Sequence, residues 1–228
     1  MPRILKDLEQ GSVRWLYVRL GKVGGSRVSA IVTPTGAPVK GAKRQTLMCE
    51  LLSVRLTGRA TETHVSKPME RGTHLESEAR SWYQMEQGVD VQEVGYVYGD
   101  IPGAGCSPDG LIGDDGVLEI KVPVTHNFVR HMMIGGIPAD WIPQCRYNLW
   151  LCGRIYLDFV MYTDEQRLPS IVRRIEPDAA YNKSLAVHVK AFCDELDEME
   201  ADLRERYEIP YPSEVDIDSL SGDAIPFK

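Results

Sequence analysis

The chain has 228 residues, of which 43% are hydrophobic and 26% charged, and its net charge is −7. That length supports a substantial core and reads as one domain over residues 1–228, while no apolar run reaches the roughly 20 residues that a membrane-spanning helix needs. An acidic balance argues against a protein that coats nucleic acid with its whole surface, but it leaves room for a local basic groove beside an acidic metal site.

In chain order, "MPRILKDLEQGS" is too charged for a secretory signal. Apolar positions at Ile4, Leu5, Leu8, Trp15, Leu16 and Leu20 predict one or two short helices over residues 1–20, broken at Gly11-Ser12. Gly24 and Gly25 then precede Ser26, which is positioned as a helix N-cap. Residues 33–45 form a Pro/Gly loop ending in Lys40, Lys43 and Arg44, and residues 46–57 have helical spacing. A helix is predicted over 70–88, closed by Gly88, and an alternating strand over 89–100. "GVLEIKVP" (116–123) is the next strand, joined to "GLI" by a turn from Gly113 to Gly116. A helix follows Pro123, and another over 139–153 ends at a glycine. Strands over 154–163 and 170–177 lead to a long helix over 178–207. The fold class is therefore α/β, a mixed sheet flanked by helices with a long C-terminal helix. Five scattered cysteines with no C-x-x-C pair fit a reduced cytoplasmic compartment without structural zinc.

The chemistry concentrates in "GCSPDGLIGDDGVLEIKVP" (105–123). Residues two apart on a strand share a face, so Glu119 and Lys121 point together while Leu118, Ile120 and Val122 point the other way. A hairpin return through "DGLIGDDG" folds Asp109 back beside Glu119. Two carboxylates at one point repel unless a cation lies between them, and oxygen ligands with open positions suit Mg²⁺ or Mn²⁺. An adjacent ammonium orients or deprotonates water, or holds a phosphate, so the set points to metal-assisted phosphodiester hydrolysis. Taken alone, an Asp followed by Glu-x-Lys equally describes a surface hairpin with a cross-strand ion pair.

"PDG…LEIK" resembles the PD-(D/E)xK nuclease signature, whose core is restriction-endonuclease-like. "WLYVRLGKVGGSRV", "HLESEAR", "CSPDGL", "LEIKVP" and "IPQCRYNLW" together resemble, in order and spacing, the phage lambda exonuclease family of alkaline exonucleases, or YqaJ-type viral recombinases. The likeness runs over roughly residues 15–165. It implies that Asp109, Glu119 and the Ile120 carbonyl hold metal, with two Mg²⁺ ions replaceable by Mn²⁺, and that Lys121 contacts the attacking water. Glu76 would be the helix-borne acid of the site, with Glu78 as the alternative register; without the family, Glu76 reads as a solvated partner of Arg80. Gln144 matches a glutamine near the scissile phosphate or the water, and without the family reads as a polar residue on a half-buried helix; Arg146 stands where a second glutamine is expected, which puts any role for that position in doubt. Arg19 and Ser26 would hold the 5′-phosphate of the degraded strand, although Arg19 also reads as a surface ion-pairing residue. Ser107 is open between a phosphate contact and a turn, and Lys40, Lys43 and Arg44 between DNA contacts and a solvated loop.

The resemblance further implies a Mg²⁺-dependent 5′→3′ exonuclease that processively digests one strand of linear duplex DNA. It would release mononucleotides and leave a 3′ overhang for a phage single-strand annealing protein. A homotrimeric ring and a cytoplasmic, phage-encoded origin are implied in the same way. The alternatives are an endonuclease or single-strand-specific nuclease of the same superfamily, and a DNA-binding protein with a dead site, which the complete Asp109, Glu119 and Lys121 set argues against.

Overall fold

The computed structural model describes residues 2–59 and 67–212. Its centre is a five-stranded sheet of β2 (Val91–Gln92), β5 (Gly110–Ile112), β6 (Gly116–Lys121), β7 (Tyr156–Met161) and β8 (Ile171–Ile175), hydrogen-bonded in the order β2-β5-β6-β7-β8. The β6–β7 pair is parallel and the other pairs are antiparallel, so the sheet is mixed. Parallel neighbours need a crossover, and residues between β6 and β7 supply one containing α4 (Thr125–Ile134) and α5 (Ile142–Cys152). A smaller antiparallel sheet joins β1 (Arg3–Leu5), β3 (Tyr96–Tyr98) and β4 (Gly105–Cys106) in the order β1-β3-β4.

Both faces of the large sheet are covered, which explains why "GVLEIK" is apolar almost throughout. On one face, Val117, Leu157, Phe159 and Met161 pack into the main core. That core also takes residues from α2 (Ala42–Thr57), α5 and α6 (Ala179–Tyr207). On the other face, Leu118, Ile120 and Val160 pack under Ala79 and Tyr83 of α3 (Lys67–Gln87). Asp178 caps α6, its side chain accepting the Tyr181 N–H at 3.0 Å. Among the described residues no helix is long and apolar enough to cross a membrane.

Four sequence expectations are corrected. Residues 3–5 form a strand rather than part of a helix, because Arg3–Leu5 pairs with Tyr96–Tyr98; only Val13–Arg19 (α1) is helical, capped by Ser12. The 89–100 stretch is two strands in two sheets. The chain changes sheet at Gly95, where a Cβ would lie 2.1 Å from the Leu8 carbonyl oxygen, a place only glycine can occupy. The helix expected from residue 46 begins at Ala42, so Lys43 and Arg44 stand in its first turn and not in the loop. Ser26 is not a cap: Gly24 caps a 3-10 helix over Gly25–Ala30, and Ser26 lies exposed inside it.

One buried network ties α3 to the sheet. Asp158 on β7, 1% exposed, accepts the Tyr83 hydroxyl at 2.6 Å and the Arg174 guanidinium at 2.8 and 2.7 Å. Arg174→Ala leaves a buried carboxylate without its cation and is expected to cost about 2–3 kcal/mol, because the lost partner is half-exposed. Tyr83→Phe removes one hydrogen bond and is expected to cost about 1 kcal/mol. Urea unfolding of both variants checks this ordering, which equal or negligible losses would contradict.

Candidate active site

The site assembles where β4, β5 and β6 meet the helices α3 and α5. After β4 the chain turns through Ser107-Pro108-Asp109. The Gln10 side chain fixes that turn by donating to the Val94 and Pro108 carbonyls, each at 2.9 Å. The β5–β6 hairpin then pairs Gly110 with Leu118, which sets Asp109 beside Glu119 as the hairpin return requires. The Asp109 carboxylate accepts the Ile120 backbone N–H at 2.5 Å, and its carbonyl accepts from Arg80 Nε at 3.0 Å.

Glu119 is completely buried. A charged carboxylate survives there only if its oxygens are satisfied. Oε1 accepts from Lys121 Nζ and from Gln144 Nε2, both at 2.5 Å, and Oε2 accepts from Asn148 Nδ2 at 2.8 Å. Gln144 and Asn148 are four residues apart on α5 and therefore share a face. Asn148 escaped the sequence reading; its signal was that i+4 spacing from Gln144. Arg146, two residues from Gln144, points elsewhere and donates to the Glu176 carbonyl at 2.5 Å, so the second amide of the site comes from position 148.

Glu76 lines a cleft of about 320 Å³ with Ile120, Lys121, Val122 and Trp141, and it accepts from Arg80 Nη2 at 2.8 Å. Glu78 lies two residues on, on another side of the helix, and accepts the Tyr162 hydroxyl at 2.6 Å. Glu76 is thus the acid that faces the cleft. The ion pair with Arg80 read from the sequence is also present; Arg80 in addition reaches Glu93 at 3.0 Å and the Asp109 carbonyl, so it braces both acids.

Electrostatics report a shortage of positive charge. Burial, then the neighbouring Glu119, pushes the Asp109 carboxyl up to about 7, against Lys121 and the Ile120 N–H. Burial, then Asp109, pushes Glu76 up to about 7. Burial pulls the Lys121 ammonium down, but Glu119 and Asp109 more than reverse that, and the group stays firmly protonated. Among the described residues no three His, Cys, Asp or Glu side chains form a ready coordination cluster. The donor chemistry nevertheless fits a hard divalent cation: Asp109, Glu119 and Glu76 supply only oxygen, and their charge exceeds what Lys121 and Arg80 offset.

On a second side, the Arg19 guanidinium stacks on the Trp15 ring at 3.8 Å. A Cβ on Gly24 would lie 3.9 Å from its Nη2, so Arg19 sits at the mouth of the 3-10 helix that carries Ser26. The Ser107 hydroxyl is engaged in the turn, donating to the Gly95 carbonyl at 2.7 Å and accepting from Trp15 Nε1 at 2.9 Å. Lys43 donates to Ser29 at 3.1 Å, Arg44 is held in a bidentate pair by Glu195, and Lys40 is exposed. The structure therefore gathers Asp109, Glu119, Ile120, Lys121, Glu76 and Gln144, brings Arg19 beside Gly24 at the start of the helix that carries Ser26, and gives Ser107, Lys43 and Arg44 partners within the protein.

Comparison with known proteins now bears on this geometry. The profile of the YqaJ-like viral recombinase domain matches residues 14–155. The crystal structure of an alkaline exonuclease (LHK-Exo) from Laribacter hongkongensis superposes with a TM-score of 0.78 at 38% identity, covering 86% of this chain and 98% of that one. A structure of LHK-Exo in complex with dAMP matches equally well. A phage-related exonuclease from Haemophilus somnus has a TM-score of 0.61 at 14% identity, over 80% of this chain and 96% of that one, and shares the fold. No curated protein matches. A domain profile spanning most of the chain, and a relative this similar over nearly its whole length, place the protein in the YqaJ-like viral recombinase family of phage-type alkaline exonucleases.

Proposed function

We propose that this protein is a Mg²⁺-dependent DNA exonuclease that degrades one strand of linear duplex from a 5′-phosphorylated end. The observation that carries the reading is the convergence of Asp109 and Glu119 with the Lys121 ammonium, beside the cleft that Glu76 and Lys121 line. The complex of LHK-Exo with dAMP supports it, since dAMP is a mononucleotide of the kind such an enzyme releases.

Asp109, Glu119 and the Ile120 carbonyl would hold one divalent ion, with Glu76 at a second; Mn²⁺ would substitute. Such ions polarise the phosphate and make bound water nucleophilic at neutral pH. Lys121 would hold the scissile phosphate, or orient or deprotonate the attacking water, from its place beside Glu119. Gln144, released from Glu119, orients the same water. Arg19 and Ser26 clamp the terminal 5′-phosphate by bidentate and hydroxyl contacts, and Lys40 and Lys43 approach the duplex from the solvent side. Processive digestion would leave a 3′ overhang for a single-strand annealing protein in the bacterial cytoplasm, with three copies of the chain encircling the DNA.

Linear duplex labelled at either end, with 5′-phosphate or 5′-hydroxyl termini, tests this directly. The expected result is Mg²⁺-dependent release of mononucleotides from the phosphorylated strand alone. Glu119→Gln and Asp109→Asn are expected to slow it by more than about 100-fold, beyond the usual loss from outer-shell partners. Arg19→Ala is expected to erase the preference for phosphate. Cutting of circular DNA, or digestion indifferent to the 5′ group, contradicts the assignment.

The raised Asp109 and Glu76 carboxyls set a pH dependence. In the metal-free protein both are pushed up to about 7, above their unfolded values. The stability they contribute is complete below about pH 4 and is lost as pH rises through 7. Without metal, the melting temperature is therefore expected to fall between pH 6 and pH 8. Because an ion must displace those protons, Mg²⁺ affinity is expected to drop about tenfold at pH 6 relative to pH 8. Thermal unfolding with and without Mg²⁺ at both pH values checks this; an equal Mg²⁺ shift at the two contradicts it.

A further inference from the structure

We propose that Asn148 is a positioning residue that fixes the Glu119 carboxylate so that Oε1, and not Oε2, is the oxygen offered to the metal. The inference rests on the nuclease reading above and adds to it a residue and an atom.

Three donors reach Glu119, two on Oε1 and one on Oε2; Oε1 lies beside Lys121, which lines the cleft, so an ion entering from the cleft meets Oε1 once Lys121 or Gln144 yields it. Lys121 and Gln144 share Oε1. Both are only partly buried, and both are long side chains with several free torsions that can swing towards substrate. Asn148 alone occupies Oε2, is 1% exposed, and has two side-chain torsions.

Its surroundings also forbid movement. The amide packs flat against the Gly25 backbone: a Cβ at Gly25 would lie 2.2 Å from Asn148 Oδ1 and 3.1 Å from Cγ. Only glycine leaves room there. The Asn148 Oδ1 is buried and makes no hydrogen bond among the described residues. The amide orientation is therefore set entirely by Nδ2 on Glu119, since a flip would place an acceptor against a carboxylate oxygen. When the metal arrives, Oε1 exchanges its donors and Oε2 keeps its own.

Isothermal calorimetry of Mg²⁺ binding, combined with kcat and KM on 5′-phosphorylated duplex, tests the proposal in wild type, Asn148→Ala and Gly25→Ala. Melting in EDTA establishes that each variant is folded. Asn148→Ala is expected to weaken Mg²⁺ binding about tenfold. Its kcat should fall at limiting Mg²⁺ and recover at saturating Mg²⁺, with KM for DNA ends unchanged. Gly25→Ala removes no polar group but displaces the amide, and is expected to reproduce the defect; it carries the same test should Asn148→Ala fail to fold. Wild-type Mg²⁺ affinity in a folded variant overturns the inference, as does a rate loss that Mg²⁺ does not recover. A wild-type protein that binds no Mg²⁺ overturns instead the functional reading on which it rests.

Discussion

The structure depends on satisfying the oxygens of one completely buried carboxylate. Glu119 sits in the middle of the central sheet at full burial, where an unpaired negative charge would cost several kcal/mol. Lys121, Gln144 and Asn148 remove that cost between them. Each donor comes from an element that must be placed for this purpose: Lys121 from the same face of β6, and the two amides from adjacent turns of α5. The β6–β7 crossover delivers α5 against the sheet face that carries Glu119, so the topology and the site are one requirement.

Asp109 adds the second charge, and the hairpin makes its approach to Glu119 unavoidable. Burial, and after it repulsion from Glu119, pushes the Asp109 carboxyl up, and Lys121, the Ile120 N–H and Arg80 offset this only in part. The surplus extends to Glu76, on a helix held to the sheet through Tyr83 and Asp158. Oxygen donors gathered and braced beside a cleft suit a small hard cation. The acidic exterior of the chain is no obstacle, because the charges that matter lie within a few residues of the cleft.

Much of this was legible in the sequence for physical reasons. A period of two on β6 put Glu119 and Lys121 on one side, and the Gly-Asp-rich turn forced the hairpin that returns Asp109. The long C-terminal helix was equally readable. What escaped was set by distant partners. Residues 3–5 are too few to show a period, and they become a strand only because Tyr96–Tyr98 lies alongside. The sheet change at Gly95 depends on Leu8, about ninety residues away in the chain. Asn148 escaped because its significance comes from Glu119 and Gly25, neither near it in sequence. The Glu76 and Glu78 ambiguity had the same origin: composition could not tell which side of α3 faces β6, whereas the packing of Ala79 and Tyr83 on Leu118 and Ile120 does.

The most direct measurement of the central claim is crystallographic. Crystals grown with Mn²⁺ in place of Mg²⁺ and measured at the manganese absorption edge reveal the ion by its anomalous signal. The account predicts a peak in contact with Asp109 and with Oε1 of Glu119, with the Lys121 ammonium moved off that oxygen and Asn148 still bonded to Oε2. A fully occupied Mn²⁺ elsewhere, with Lys121 and Gln144 unmoved on Glu119, would contradict it.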